Sequence, residues 1–406
     1  MIKRVPVSQL KPGMFIDDLN CNWIDHPFFS AKFKIGSLGD IQKINKLGIK
    51  EVSIDTSKGL DVASAPSDEK VKSEVDAKFK EQVRDLDEPV REVALAKEIL
   101  IAKSVRNEAK QVIKDVLDDV RLGRQIEVDK VEQVVSKITD SIFRNKDALI
   151  GLSRIKHMNE YLFLHSVSVC VLMISFSNAV GLKREQINEV GVGALLHDIG
   201  KVKVHANILN KPGRLTEEEF ASMKEHVSLG RKLLTETSRL SETALLVSYQ
   251  HHERFDGTGY PNKLKGNEIS IYGQMAAIVD VFDAITSDRC YHKGMESAVA
   301  LKKIFEWSKF HFNPALVQHF IRCVGIYPIG TLVRLDNEHL AVVIESGKEN
   351  LTKPKVRVIY NLKHRSFTKP LDIDLSGPGA NRTIISSESP SDYDINPFQY
   401  TDIFFN

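Results

Sequence analysis

Apolar and polar positions change rhythm three times along the chain. Through residues 1–60, short apolar runs are broken by Pro and Gly, as in "RVPVSQLKPGMFI", "FKIGS" and "GIKEVSID". These runs predict short strands. One helix is predicted over "LGDIQKINKLG", ending at Gly48. The small, polar stretch "SKGLDVASAPSDEK" then reads as a linker. From about Pro89, "PVREVALAKEILIAKSVRNEAKQVIKDVLDDVRLG" repeats apolar residues at three- and four-residue intervals and stops at Gly123. A second helix starts from Asp129, and the helical period continues to about residue 328. After Tyr327, "GTLVRL", "LAVVIES" and "KVRVIYN" return to a β pattern, and the final stretch with "SGPGANRT" and "SESPSDYDINP" reads as irregular. The predicted fold class is α+β, a mainly helical bundle with small β-rich regions at both ends. The expected divisions are 1–60 (β-rich), 61–88 (charged linker), 89–145 (helical connector), 146–328 (central helical unit) and 329–406 (β-rich extension).

One segment raises the question of a membrane. Tyr161 to Leu182, "YLFLHSVSVCVLMISFSNAVGL", carries no Asp, Glu, Lys or Arg and is long enough to cross a bilayer. His165, Ser166, Ser168, Ser175, Ser177 and Asn178 are scattered around it, an expensive set to turn toward lipid. A buried central helix is the preferred reading, with no membrane partner.

Composition narrows the class without choosing a function. The 406 residues are 42% apolar and 27% charged, ordinary for a globular chain of two or three domains. A net charge of +2 gives no global attraction to nucleic acid polymers. Cys21, Cys170, Cys290 and Cys323 form no CxxC pair, which argues against a disulfide framework or a thiolate zinc site. The N-terminus "MIKRVPVSQLKPGMF" lacks the apolar core of a signal peptide, so a cytoplasmic location is expected.

The chemistry gathers in the middle third, where ten of the 13 histidines fall between His157 and His319. His165 sits in the charge-free helix. His197 and Asp198 end an apolar run in "GALLHDIGK", and His226 lies in "MKEHVSLG" on a helix whose Thr216 and Glu219 form a capping box. His251 and His252 open "HHERFDGTGYP", and Asp280 lies in "MAAIVDVFDAITSDR". A single histidine on an apolar helix is usually a satisfied core residue, and an adjacent His pair is often just solvated. Several near-apolar segments each carrying one imidazole or carboxylate, with no local mate, are harder to read that way. Neutral imidazoles with carboxylates and no thiolate suit iron, manganese, nickel or zinc. So many ligands suit a two-metal centre with Asp198 bridging, an arrangement built for in-line displacement at phosphorus. Lys201, three residues after Asp198 and four after His197, shares their face if the segment is helical. There it can hold a phosphate oxygen or a departing alkoxide.

"HDIGK" with "HHERFDGTGYP" resembles the HD-GYP phosphodiesterases, a bacterial subgroup of the HD-domain metal-dependent phosphohydrolases. The likeness runs from "YLFLHSVSV" through "NILNKPGRLTEEEF", "HVSLG" and "VDVFDAITSDRCYHKG" to "FNPALVQHF", roughly 180 residues. "HPFFSAKFKIGS" and "GIKEVSIDTSKG" resemble a small domain often found before HD-GYP domains. The resemblance implies a fold in which His165, His197, Asp198, His226, His251, His252 and Asp280 bind two divalent transition-metal ions, iron or manganese before nickel or zinc. It implies hydrolysis of cyclic di-GMP or 3′,3′-cyclic GMP-AMP to the linear dinucleotide, with Asp198 and Lys201 as catalytic residues. Lys201, Gly259, Tyr260, Pro261, Arg289 and His292 are the implied substrate contacts. A homodimer or signalling proteins are further candidate partners.

Two segments depart from the family pattern. Tyr161 stands where some members carry a third-metal Glu, which favours two ions and a single cut. Cys290 and His292 stand where Pro and then Arg or Lys are usual, which weakens the expected grip on phosphate beside Arg289. Two other readings are a catalytically weak cyclic-dinucleotide sensor or partner-binding module, and a different HD phosphohydrolase acting on nucleotides. The complete ligand set and the intact GYP turn favour the phosphodiesterase.

Overall fold

The computed structural model describes residues 1–21, 32–83, 93–155, 161–211, 213, 215–287, 294–347, 350–377 and 380–401. At the N-terminus, β1 (Ile2–Pro6), β2 (Phe15–Asp18), β3 (Phe33–Lys34) and β4 (Glu51–Asp55) form an antiparallel sheet in the order β1-β4-β2-β3. Helix α1 (Leu38–Lys46) has Ile41 and Ile44 buried in the same small core as Val5, Ile16, Val52 and Ile54. Gly48, with φ +72°, stops this helix as expected.

The stretch read as a charged linker is largely helical. Helix α2 (Asp68–Val83) occupies it, anchored by the Asp68 carboxylate, which accepts from Arg4 Nε at 3.1 Å and Nη2 at 2.9 Å. Among its described side chains the buried apolar ones are Val75 and Phe79, four residues apart among charged neighbours. That is too sparse for the periodicity to reveal. The structure begins α3 at Leu95, and the expected start near Pro89 lies outside the described residues.

Helices α3 (Leu95–Arg121), α4 (Val128–Ser153), α5 (Tyr161–Ala179), α6 (Arg184–Leu196), α7 (Ala206–Leu209), α8 (Glu217–Thr235), α9 (Glu242–Gln250), α10 (Ile271–Thr286), α11 (Ser297–Trp307) and α12 (Pro314–Val324) follow. Helix α5, the charge-free segment, runs through the middle of the bundle against α3, α4, α6, α10 and α12. Of its apolar window Leu162–Ala179, 78% is buried within the protein. The serines that argued against lipid are used inside: Ser168 Oγ donates to the Leu164 carbonyl, and Cys323 Sγ to Ser175 Oγ. The remaining sheet has the order β8-β7-β6-β5-β9, from β5 (Leu332–Leu335), β6 (His339–Glu345), β7 (Lys355–Asn361), β8 (Ser366–Asp374) and β9 (Ile384–Ser387). Strand β9 was read as irregular. It is four residues long with little buried surface, and its ladder to β5 places it.

A single buried charge ties α3 to α4. Glu98 is 0% exposed and accepts from Ser141 Oγ at 2.7 Å and from Arg144 Nε and Nη2 at 2.7 and 2.8 Å. Removing Arg144 would leave a carboxylate stranded in the core. Arg144→Ala is therefore expected to lower stability by about 3 kcal/mol in urea unfolding. A loss within 0.5 kcal/mol, roughly the scale of neutral surface changes, would rule out that role.

Candidate metal centre

Two helices end at the point where the polar residues meet, and three others carry theirs to it from within. Helix α6 finishes at Leu196, so His197 and Asp198 fall at its C-terminal end, and Ile199–Lys203 continues as a 3₁₀ turn. Helix α8 supplies His226 from its interior, introduced by the expected capping box. Glu219 N donates to Thr216 Oγ1 at 3.2 Å, and Thr216 N to Glu219 Oε2 at 2.7 Å. Helix α9 ends at Gln250, placing His251 and His252 just beyond it. His165 comes from the first turns of α5 and Asp280 from the middle of α10.

Three of these histidines are oriented by one device. Nδ1–H of His197, His226 and His251 donates to the carbonyl three residues earlier: Ala194 at 2.8 Å, Met223 at 2.6 Å and Ser248 at 2.6 Å. That leaves each Nε2 as the inward-facing acceptor, the form a metal ligand needs. His165 is held differently, with Nδ1 2.7 Å from Oδ2 of Asp283 and Nε2 3.2 Å from Asp280 and 3.5 Å from Asp198. Asp283 is a residue that sequence reasoning passed over. Its signal was available, since it follows Asp280 by three residues in "VDVFDAIT" and so shares a helix face.

All seven expected ligands converge, in three overlapping groups: His226 with His251 and His252, His165 with His197 and Asp280, and His197 with Asp198 and His251. Within each group the donor atoms lie within 4.8 Å of one another. Asp198 is the common neighbour, with Oδ2 3.3 Å from His197 Nε2 and Oδ1 3.3 Å from His226 Nε2. Burial alone would raise its pKa, but Lys201 and the surrounding imidazoles hold it well below the usual carboxylate range. Burial likewise lowers His251, to about 3, while His165 is raised to about 10 because Asp198, Asp280 and Asp283 outweigh its own burial. Among the described residues, two buried atoms of the site, His197 Nε2 and Asp198 Oδ1, have no hydrogen-bond partner. A buried donor set of imidazole nitrogens and carboxylate oxygens with unsatisfied atoms is what a divalent transition metal completes. The residues therefore fit the metal that the sequence implied.

Among the described ligands and their neighbours, the site meets solvent at His252 and Lys201. His252 and Lys201 are about a fifth exposed, whereas the other histidines are sealed. Lys201 Nζ donates to Asp198 Oδ2 at 2.5 Å, so the expected shared face holds although the segment is a 3₁₀ turn. The wall on this side is the GYP turn. The Tyr260 ring stacks on His252 at 4.6 Å, and Lys224 Nζ lies 5.7 Å from the centre of the same ring. Gly259 is needed for the fit, since a Cβ there would meet the Arg254 nitrogen at 2.3 Å. Glu253, also missed in the sequence, is buried beneath the turn and accepts from the Asn262 and Leu264 amides at 2.8 and 3.0 Å. Arg289 and His292 lie outside the described residues, and the same holds for the side chain of Tyr161.

Helices ending on a buried cluster of imidazoles and carboxylates define an HD-domain protein. The HD domain family matches residues 138–316, and a domain of unknown function, DUF3391, matches residues 2–131. Over 389 residues the chain is 39% identical to a cyclic di-GMP phosphodiesterase of Pseudomonas aeruginosa, covering 96% of this chain and 92% of that one. A cyclic di-GMP phosphodiesterase of Vibrio cholerae is 42% identical over 134 residues, 32% of this chain and 27% of its own length. A 3′3′-cGAMP-specific phosphodiesterase of the same organism is 35% identical over 155 residues, 38% and 30% of the two chains. The chain belongs to the HD-GYP family of HD-domain phosphodiesterases, preceded by a DUF3391 domain.

Two substitutions test how the site is held. Asp283→Ala frees the His165 ring and is expected to weaken metal retention about 10- to 100-fold, read as metal content against a chelator series. Unchanged retention would show that Asp283 does not orient the ligand. Gly200 is packed so tightly that a Cβ would lie 1.9 Å from the His226 carbonyl oxygen and 2.5 Å from the Gly230 nitrogen. Gly200→Ala is therefore expected to drive the 3₁₀ turn from α8, lowering stability by about 1–3 kcal/mol and metal content with it. A variant with wild-type thermal unfolding and metal content would contradict this.

Proposed function

We propose that this chain hydrolyses a bacterial cyclic dinucleotide, cyclic di-GMP or 3′,3′-cyclic GMP-AMP, to the linear dinucleotide with a 5′ phosphate. The observation carrying the reading is the convergence of seven imidazole and carboxylate residues in three overlapping groups, with unsatisfied buried atoms, beside a wall of lysine and tyrosine. Two divalent ions are assigned to this donor set, iron or manganese before nickel or zinc. Bound there, they supply Lewis-acid activation of the phosphodiester and of the attacking water.

The protein's own residues do the positioning. Asp198, with oxygens 3.5 Å from His165, 3.3 Å from His197 and His226 and 3.9 Å from His251, is the carboxylate nearest most of the residues that would hold the ions. Lys201 reaches the same carboxylate from the exposed edge and can transfer its N–H to a phosphate oxygen or the leaving 3′ oxygen. Tyr260, backed by Gly259 and Pro261, offers a ring face on which a base can stack, and Lys224 adds positive charge at that edge. In the reaction water adds to phosphorus, the bond from phosphorus to the ribose 3′ oxygen breaks, and that oxygen takes a proton. The ring opens once and leaves a 5′ phosphate. Arg289 and His292 are assigned to the same substrate by family position. With Tyr161 in place of a third-metal Glu, the expected end product is linear dinucleotide.

Metal content of protein purified anaerobically should be two ions per chain; values near zero or three contradict the assignment. Asp198→Ala should lose both metal and hydrolysis. Lys201→Ala should keep metal and lose about 2–4 kcal/mol of transition-state stabilisation, near 10²–10³ in turnover. Equal metal loss in both would make Lys201 structural. Chromatography of time courses on both cyclic dinucleotides should show linear dinucleotide accumulating. Mononucleotide forming without that intermediate would refute the single cut.

A further inference from the structure

The N-terminal sheet domain reaches the substrate wall directly. Its helix α1 ends at Leu47 and Gly48, and this corner lies against the GYP turn. Arg254, in the turn, donates from Nη1 to the Leu47 carbonyl at 3.3 Å. Gly48 is pressed onto Thr258 so closely that a Cβ would meet the threonine side chain at 2.6 Å. The His311 carbonyl, in the loop between α11 and α12, accepts from the Phe255 amide at 2.9 Å. One turn earlier in α1, Lys43 pairs with Glu217 at 3.2 Å, at the start of the helix that carries His226.

The contacted segment is the one that presents Tyr260. Gly257 N donates to the Arg254 carbonyl at 2.8 Å, Gly266 N to Phe255 at 2.9 Å, and Tyr260 N to His252 at 3.1 Å. These backbone bonds make residues 252–266 one compact loop, with the N-terminal domain on one flank and Tyr260 stacked on His252 on the other. A loop so small transmits a displacement of one flank to the other, because its backbone bonds have no slack between them.

We propose that the Leu47–Gly48 corner is a positioning element for the substrate wall, giving the DUF3391 domain a role in substrate affinity. The inference rests on the phosphodiesterase reading for what the wall binds, but not for the contact itself. Its consequence is specific. Loosening the corner moves Tyr260 and weakens cyclic dinucleotide binding, while the helix-borne ligands keep the metal.

The test uses the full-length, metal-loaded protein with Arg254→Ala, Arg254→Lys, Gly48→Ala and the Arg254→Ala/Gly48→Ala pair. Hydrogen exchange should quicken about tenfold at the Gly257, Tyr260 and Gly266 amides in Arg254→Ala and Gly48→Ala, with amides of α9 and α10 unchanged. KM for cyclic di-GMP should rise about three- to tenfold, with kcat and metal content within twofold, and Arg254→Lys should recover part of the KM. The double variant should fall short of the product of the single effects, since both act through one contact. Faster exchange throughout α9 and α10 would show general destabilisation and overturn the proposal. So would unchanged exchange in the turn, or a loosened turn with unchanged KM. Should the wild-type protein hydrolyse neither cyclic dinucleotide, the phosphodiesterase reading falls. The exchange pattern then decides the positioning role alone.

Discussion

A carboxylate buried where several segments meet governs this molecule. Asp198 is 4% exposed, and a charge there is tolerable only if the surroundings answer it. They answer with Lys201 Nζ at 2.5 Å and with imidazoles drawn from α5, α8 and the ends of α6 and α9. Each of those elements must stop or bend at the right place to deliver its ring. The apolar faces that pack the bundle and the polar residues that fill its centre are therefore two parts of one constraint. Gly200 and Gly193 belong to it as well. A Cβ at Gly193 would lie 2.6 Å from the Ala244 carbonyl, so α6 and α9 meet only because that position is bare.

The same constraint explains why the ligands differ in rigidity. His197, His226 and His251 each spend one ring nitrogen on a carbonyl of their own helical turn, which fixes the ring without any distant partner. His165 sits in a helix with its Nδ1 turned inward, so it borrows a carboxylate from α10 instead. The His165 ring lies among Asp198, Asp280 and Asp283, whose carboxylates raise its pKa against its burial.

Much of this was legible in the sequence, for a physical reason. A histidine or aspartate inside an apolar run is conspicuous because burial without a partner is so unfavourable. That picked out His165, His197, Asp198 and Asp280, and the runs around Glu217 and Thr216 located the helix bearing His226. Helix α2 escaped because charged residues surround the two apolar positions that dock it, Val75 and Phe79. Strand β9 escaped because its ladder partner lies some fifty residues away. Asp283 and Glu253 escaped for another reason: an acidic residue near a ligand reads as ordinary solvated charge until its orientation is known. The contact of Leu47 and Gly48 with the GYP turn has no sequence signature at all. It is made by a carbonyl and by a missing side chain.

Exposure then sorts the site by task. The sealed residues, His165, His197, His226 and His251, come from helices or their last turns, and nothing but a small ion reaches them. The partly exposed ones, His252 and Lys201, stand at the rim with Tyr260 and Lys224, where a large anion can approach. The centre is built on packed helices that cannot shift without disturbing the core, and the turn at the rim is held by its own backbone bonds and by the Leu47 carbonyl. The N-terminal domain touches that turn at Leu47 and Gly48 and reaches the start of α8 through Lys43.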